Sequence, residues 1–485
     1  MQSISVKRKR IVFSSDASRV ITKPFIPRRE EHLRNIIHRV LNLTSRDRRK
    51  ILAKVMGDFS SRHHDLEKAL SFSFDLVRHH VPDSRALSKE VKLLIGACFT
   101  HEYAAESTAL FNPSIVPHPD QDNLEYGSLR FILSFRGVGE GHISSIVFRS
   151  GVLDERGNLI MDPVSPHVEM PKVELDPYYD KHTFLLKLEE LAARDAVSER
   201  ILSPLPDRFR FEALQEQIRI ERKKMRETLA RRKTIEVIEW VAQSNYEERF
   251  RPDSHLTERV IFPVAKDESN GIEDARFVCM DEEDGGRKYY ATYTAYDGRD
   301  VLPMMLETID FCEFKIRTLN GREARDKGMA LFPRKVNGKY AMIGRQDGEN
   351  LYYMQSDNLH FWHHATLISS PSMTWEIMQI GNCGSPIETE VGWILLTHGV
   401  GPMRRYCISA VLLDLDDPSK MIGRLREPLI VPEEHEREGY VPNVVYTCGA
   451  MIHGETLIIP YAFSDTSSGI ATVDVGELLE ALQSM

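Results

Sequence analysis

The chain has 485 residues, with 63 basic against 72 acidic side chains, a net charge of -9, and 42% hydrophobic and 8% aromatic content. That length accommodates about two to four domains, or one large repeat-built unit with additions, and the apolar content suffices for a sizeable core. The acidic balance argues against nucleic-acid or anionic-membrane partners, since either needs a basic surface. No stretch approaches the roughly 18 apolar residues of a membrane-spanning helix. No apolar signal region follows the basic run Lys7 to Arg10, which reads as a solvated, frayed tail. The 6 cysteines are scattered without a CxxC pair, which points to a reduced, cytoplasmic protein.

Residues 1–105 read as an N-terminal helical region. Leu33, Ile36, Ile37, Val40 and Leu41 recur at helical spacing, as do Leu66, Leu70, Phe74 and Val77. Pro82-Asp83-Ser84 reads as a break and cap before Leu87 to Ile95. Over 106–178 the pattern changes to turn, strand, turn, strand, with Leu129 to Phe135 and Ile143 to Phe148 as the strands. Helical periodicity with dense charge returns over 179–248, and the mixed run from Glu212 to Arg232, which includes Arg226 and Glu227, reads as the wet face of an amphipathic insertion.

From 249 to 485 the chain reads as strands with short turns. One element recurs, a Gly-containing turn followed by an apolar strand, at Gly286 to Tyr293, Asn337 to Gly344, Val391 to Gly399 and His453 to Tyr461. With Tyr126 to Phe135 there are five copies, spaced by about 50 to 60 residues apart from the insertion, which is near the blade period of a propeller. The fold predicted is mainly β, a five-bladed β-propeller with an N-terminal helical region and a helical insertion.

Propeller sites lie at one end of the central channel, so polar residues beside the recurring strands are the candidates. In Glu273-Asp274-Ala275-Arg276 a carboxylic acid sits beside a fixed cation behind a Gly turn, as a general acid and a substrate clamp would; a surface salt bridge has the same signature. Asp297-Gly298 fits either a sugar contact or a hairpin turn. Asp414, Asp416 and Asp417 lack EF-hand spacing and read as a strand-end turn. The pairs His63-His64, His79-His80 and His363-His364 have no metal-ligand spacing, so no metal is expected. Gly137 to Gly141 lies between two strands with no following helix, which argues against a dinucleotide or P-loop site. Ser144-Ser145 lacks a nucleophile elbow.

At these segments the sequence resembles glycoside hydrolase family 130, the mannoside phosphorylases and related β-mannosidases. The matching strings are Asn112-Pro113-Ser114, Gly141 to Ser145, Gly271 to Arg276, Tyr293 to Gly298, Ala330 to Pro333, Gly392-Trp393 through Val400, Leu412 to Pro418 and Gly439 to Val445. The resemblance covers about residues 108 to 475 without the insertion. It implies a five-bladed propeller and inverting attack on a β-mannoside, with Asp274 protonating the leaving oxygen, in some members through a sugar hydroxyl. Arg136, Arg276 and Asp297 are the candidates for gripping mannose.

The chain departs from the family at the nucleophile. The phosphorylase string carries a lysine after Pro-Ile, where this chain has Pro386-Ile387-Glu388. A carboxylate there repels phosphate and suits activation of water, with Glu438 as a second candidate. Against that stand Lys327, Arg345, His398, Arg404, Arg405 and Tyr406, a cation-rich set able to seat phosphate.

The expected activity is cleavage of short β-1,2-linked mannosides by phosphorolysis to α-mannose 1-phosphate, or by water in an inverting mannosidase. No cofactor is expected beyond phosphate as co-substrate. The partner is an oligosaccharide, without nucleic acid or membrane, and the helical segments offer a surface for homo-oligomers. A non-catalytic, carbohydrate-binding propeller is the remaining reading.

Overall fold

The computed structural model describes residues 4–82, 86–175, 178–224, 228–282 and 285–484. Asp83 and Ser84, read as part of a cap, and Arg226 and Glu227 of the charged run lie outside these residues.

The N-terminal region contains the helices α1 (Glu30–Asn42), α2 (Ser45–Phe59), α3 (Leu66–Val77) and α4 (Lys89–Cys98). Side-chain caps set their starts. Thr44 accepts from the Asp47 N–H, Asp65 from Lys68 and Ser88 from Val91, each satisfying a backbone donor that the helix cannot. Leu33, Ile37 and Val40 of α1 pack against Phe74 and Val77 of α3 and Val91, Leu94 and Ile95 of α4 in one cluster.

The chain begins differently from the expected frayed tail. Lys7–Phe13 and Asp16–Pro24 are strands, and the first pairs with Ser467–Asp474. Its charge hides a period of two: Ile11 and Phe13 pack against a hydrophobic core, while Arg8 bonds Glu436, the Tyr461 hydroxyl and the Val431 carbonyl.

Most of the remaining strands fall into five antiparallel sets, while Thr100–Glu106 pairs with Asp16–Pro24 apart from them. The first is Ala109–Pro117, Leu129–Val138, Ser144–Leu153 and Leu159–Met161. The second is Gly271–Asp281, Arg287–Tyr296, Val301–Thr308 and Glu313–Thr318, and a parallel bridge from Gly271 to Ser144 joins it to the first. The third is Ala330–Leu331, Tyr340–Gly344, Leu351–Ser356 and Ala365–Ser369. The fourth is Gln379–Asn382, Gly392–Val400, Tyr406–Leu413 and Met421–Arg424. The fifth is Val445–Tyr446, Thr456–Phe463, Ser467–Asp474 and, from the other end of the chain, Lys7–Phe13. Each recurring sequence segment supplies the second strand of its set.

Apolar cores lie between successive sets. Phe148 meets Phe277 between the first and second, and Tyr290 and Met305 meet Met342 and Met354 between the second and third. Ile343 and Tyr353 meet Trp393 and Leu395 between the third and fourth, and Ile394 and Leu396 meet Leu457 and Ile459 between the fourth and fifth. Ile458 and Ile470 of the fifth set share a cluster with Phe131 and Leu133 of the first. The pleat sends Trp393 and Ile394 into different cores, so both faces of the strand are buried. Gly392–Val400 is accordingly a continuous buried run rather than an alternating one.

The segment between the first two sets holds α5 (Lys181–Glu190), α6 (Ala196–Leu202), α7 (Phe211–Lys224) and α8 (Leu229–Gln243) around Phe184, Leu188, Ile201, Leu214, Ile235 and Ile238. Its ends are tied together by Lys172–Leu175 pairing with Tyr246–Arg249. A last helix, α9 (Val475–Gln483), packs Leu478 and Leu482 on the fourth and fifth sets. Among the described residues, no helix is long and apolar enough to cross a membrane.

Candidate active site

The site begins with two irregularities in neighbouring strands. The register of Gly271–Asp281 shifts between Glu273 and Arg276, and that of Ala109–Pro117 between Phe111 and Ser114. Asp274 and Asn112 sit in these bulges with φ of +54 and +50, a left-handed backbone that Asp and Asn tolerate better than most residues. The bulges aim the two side chains at each other, and Asn112 Nδ2 donates to Asp274 Oδ1 over 2.6 Å. Gly271 is required just upstream, because a Cβ there would lie 2.2 Å from Ser144 Oγ.

Cations surround the Asp274 carboxylate. Arg136 Nη1 is 3.5 Å away and Arg276 Nη2 4.0 Å away. Burial pushes the carboxyl pKa up, but the charges of Arg136 and Arg276, the Asn112 bond and Lys327 outweigh it and hold Asp274 below the ordinary range. Glu273 is bound from two sides, by Arg136 at 2.8 Å and Lys327 at 2.5 Å. Arg276 is 1% exposed and its nitrogens are committed to the Cys383 carbonyl, the Asp274 carbonyl and the Tyr446 hydroxyl. It is therefore a fixed charge beneath the site rather than a free grip on sugar.

Arg345 is different. Its side chain runs between Gly328 and Gly381, where a Cβ would lie 2.8 Å from its Nε and 3.0 Å from its Cδ respectively. Its buried Nε has no hydrogen-bond partner, and it forms no ion pair among the described residues. Nearby buried polar atoms share this condition, including Asn112 Oδ1, Arg136 Nε and both side-chain polar atoms of Asn382. Folded proteins rarely leave such atoms unpaired, so these are open to water or to a polar ligand.

His398 is fully buried, stacked on Tyr406 with ring centroids 5.8 Å apart and tilted against Tyr446 at 5.0 Å. Burial and the charges of Arg345 and Arg276 push its pKa well down. It is neutral and supplies no cation, which corrects the expectation from sequence. Its Nδ1 donates to the Asn382 carbonyl at 3.2 Å. Arg404 and Arg405 are exposed on the turn before Tyr406, which is half-buried; the Arg404 charge reaches Asp465.

Two other expectations, Asp297 as a sugar contact and Glu388 as a base, are revised. Asp297 braces its own turn, with Oδ1 accepting the Arg299 and Asp300 N–H groups at 2.8 Å each. Glu388 lies outside the cluster. The pleat of Ile387–Thr389 turns Ile387 into a core and Glu388 toward the surface, where Arg334 binds it through Nε and Nη2. Glu438 is exposed on the loop leading to Tyr440, whose ring stacks on His142 at 5.5 Å. Asp414 caps a turn by accepting from Asp416 and Asp417.

Asp465 was not singled out from sequence. It follows the strand of the fifth set as Asp297 follows that of the second, with φ of +50. Burial and the Asp274 charge push its carboxyl up to about 6, against Arg136 and Arg404. Tyr446, the partner of Arg276, was likewise unassigned; neither carries a local motif.

The chain is similar to proteins of known family. The family model of glycoside hydrolase family 130, described as beta-1,4-mannooligosaccharide phosphorylase, matches residues 243–484. A 1,2-beta-oligomannan phosphorylase from a Thermoanaerobacter species is 36% identical over 231 residues, covering 46% of this chain and 75% of the relative. A beta-1,2-mannobiose phosphorylase from the same source is 38% identical over 211 residues, covering 43% and 68%. The solved beta-1,2-mannobiose phosphorylase of Listeria innocua aligns with a TM-score of 0.45 and 21% identity, over 78% of this chain and 93% of that one. The chain is an enzyme of glycoside hydrolase family 130.

Proposed function

We propose that the chain cleaves short β-1,2-linked mannosides by inverting phosphorolysis, releasing α-mannose 1-phosphate, at the centre of a five-bladed propeller whose blades are the five strand sets. Cores joining each set to the next, and the fifth to the first, support that architecture. Asp274 donates the proton to the leaving oxygen, directly or through a sugar hydroxyl. A phosphate oxygen attacks the anomeric carbon from the opposite face as the glycosidic bond breaks.

The observation that carries phosphate over water is Arg345. Arg136, Lys327 and Arg276 are committed to protein partners, whereas Arg345 is a charged group beside the site with no carboxylate of its own. A dianion supplies what it lacks. The carboxylate that hydrolysis would need at Glu388 is instead bound by Arg334 at the surface. Phosphate would also offset the cations that keep Asp274 ionised, and so favour its protonation. The two relatives above 35% identity are named for β-1,2 linkages, which supports that substrate.

The test is to incubate β-1,2-mannobiose with and without inorganic phosphate and identify the products. α-Mannose 1-phosphate is expected, with turnover dependent on phosphate. Arg345→Gln is expected to raise the KM for phosphate by roughly 10- to 100-fold, the cost of one or two charged hydrogen bonds, with a much smaller change for the sugar. Mannose released at the same rate with and without phosphate would eliminate phosphorolysis.

A further inference from the structure

His63 and His64 have no metal-binding spacing, yet folding gives them separate surroundings. His63 is buried, with Nε2 2.9 Å from Glu102 Oε1. His64 turns the other way, with Nε2 3.0 Å from Oε2 of Glu258, a residue 3% exposed. The His167 ring lies against His64 with centroids 4.4 Å apart. One ligand atom from each of His64, His167 and Glu258 falls within 4.8 Å of the others. The three arrive from the turn between α2 and α3, from the segment before the insertion and from the segment after it. No local spacing in the sequence could display such a set.

The surroundings prepare these atoms for coordination. His167 Nε2 lies 3.2 Å from the Ser61 carbonyl, so it carries the proton and leaves the Nδ1 lone pair available. Glu258 Oε1 accepts from the Ser165 hydroxyl at 2.7 Å, which leaves Oε2 facing His64 Nε2 at 3.0 Å, a proton-mediated contact that a metal ion would replace. Buried Arg19 bonds the carbonyls of both Ser165 and Thr257 and is itself held by Glu106 at 2.8 Å. The segments bearing His167 and Glu258 are thus fixed by a common guanidinium.

Two imidazoles and one carboxylate form a donor set suited to zinc. The 3.0 Å between His64 Nε2 and Glu258 Oε2 is close to the edge of about 3.3 Å that a tetrahedron with zinc-ligand bonds of about 2.0–2.1 Å requires. His64 has a side-chain exposure of 33%, so water has access to a fourth position. We propose that His64, His167 and Glu258 bind a zinc ion that staples the N-terminal helical region to the segments flanking the helical insertion. The site is remote from Asp274 in its contacts and acts on stability, independently of the mannoside reaction.

The experiment uses full-length protein stripped with chelator, desalted and titrated with zinc sulfate in a calorimeter. One equivalent is expected to bind and to raise the melting temperature. His64→Ala and His167→Ala are expected to weaken binding by more than about 100-fold, and Ser165→Ala, which removes an orienting bond, by about 10-fold. Cobalt(II) in the stripped protein should give the visible absorption of a four-coordinate site and lose it in His167→Ala. His64 is exposed, so His64→Ala keeps the fold, as circular dichroism checks. Absence of binding by the unaltered protein at micromolar zinc, or equal binding by the His64→Ala/His167→Ala double variant, overturns the proposal.

Discussion

The left-handed backbone at Asp274 costs on the order of 1–3 kcal/mol, and the bulge that imposes it also brings the carboxyl to Asn112 and Arg136. Asp274→Asn keeps the shape and removes the transferable proton. Turnover of unactivated mannobiose should fall by about 10²- to 10⁴-fold, the usual worth of a general acid; near-unchanged product formation would remove Asp274 from that role.

Asp465 shares the field of Asp274 with the opposite outcome, since its carboxyl is raised to about 6. The native state therefore binds this proton at pH values where the unfolded chain, with an ordinary aspartate, has released it. Stability from this group is full below about pH 4 and is lost as pH rises through about 6. Asp465→Asn removes the loss, so the variant should be more stable at pH 8 by up to about 3 kcal/mol, with the difference vanishing near pH 4. Urea unfolding of both proteins at the two pH values measures it. Equal differences at both would rule out the raised carboxyl.

At the scale of the element, Ile387–Thr389 shows how a strand decides chemistry. Its pairing with Gly392–Val400 sets Ile387 opposite Ile394 and Glu388 opposite Trp393, and Arg334, lying over the Trp393 ring at 4.8 Å, captures the carboxylate. Both partners are more than 40% exposed, so the pair contributes at most about 1 kcal/mol. Glu388→Gln should leave kcat and both KM values within about 2-fold, whereas a water-activating base would lose on the order of 10²-fold or more. Steady-state rates distinguish the two.

The same strands show what is legible in an amino-acid string. Apolar runs such as Trp393 to Leu396 announce strands buried on both faces, and their recurrence outlines the five sets. Helical spacing exposed α1, α3 and α4. Glu273 to Arg276 stood out because acid and cation are local, but the commitment of Arg276 to Cys383 and Tyr446 depends on register between distant strands. The neutrality of His398 depends on burial, and the availability of Arg345 on two remote glycines. None of these leaves a pattern in neighbouring residues.

At the scale of the molecule, the first strand completes the last sheet. Lys7–Phe13 covers an edge of Ser467–Asp474 that would otherwise present unpaired backbone groups, and joins residues from opposite ends of the chain. Arg8 anchors it. The guanidinium reaches Glu436 at 3.1 Å and Glu433 at 2.7 Å, and the Glu436 side chain is 1% exposed while that of Arg8 is 23% exposed. Burial raises the Glu436 carboxyl, but bonds from the Glu433 N–H, Tyr461 and Arg8 together with the Arg8 charge hold it below its ordinary value. Its stabilising contribution is therefore present above the ordinary glutamate range and is lost as pH falls through the lowered folded value.

Arg8→Ala leaves a buried carboxylate without its cation, and should cost about 2–4 kcal/mol at neutral pH, near the lower part of the range for breaking a buried pair because Arg8 is partly hydrated. The loss should shrink in acid, where Glu436 is protonated in either protein. Arg8→Ala combined with Glu436→Gln should recover part of the loss, because the amide needs no counter-charge. A denaturant cycle over the four proteins measures the coupling. If the single and double variants unfold at the same denaturant concentration as the parent, the N-terminal strand is not fastened by this pair, and the sheet must keep its edge covered by backbone pairing and by Ile11 and Phe13 alone.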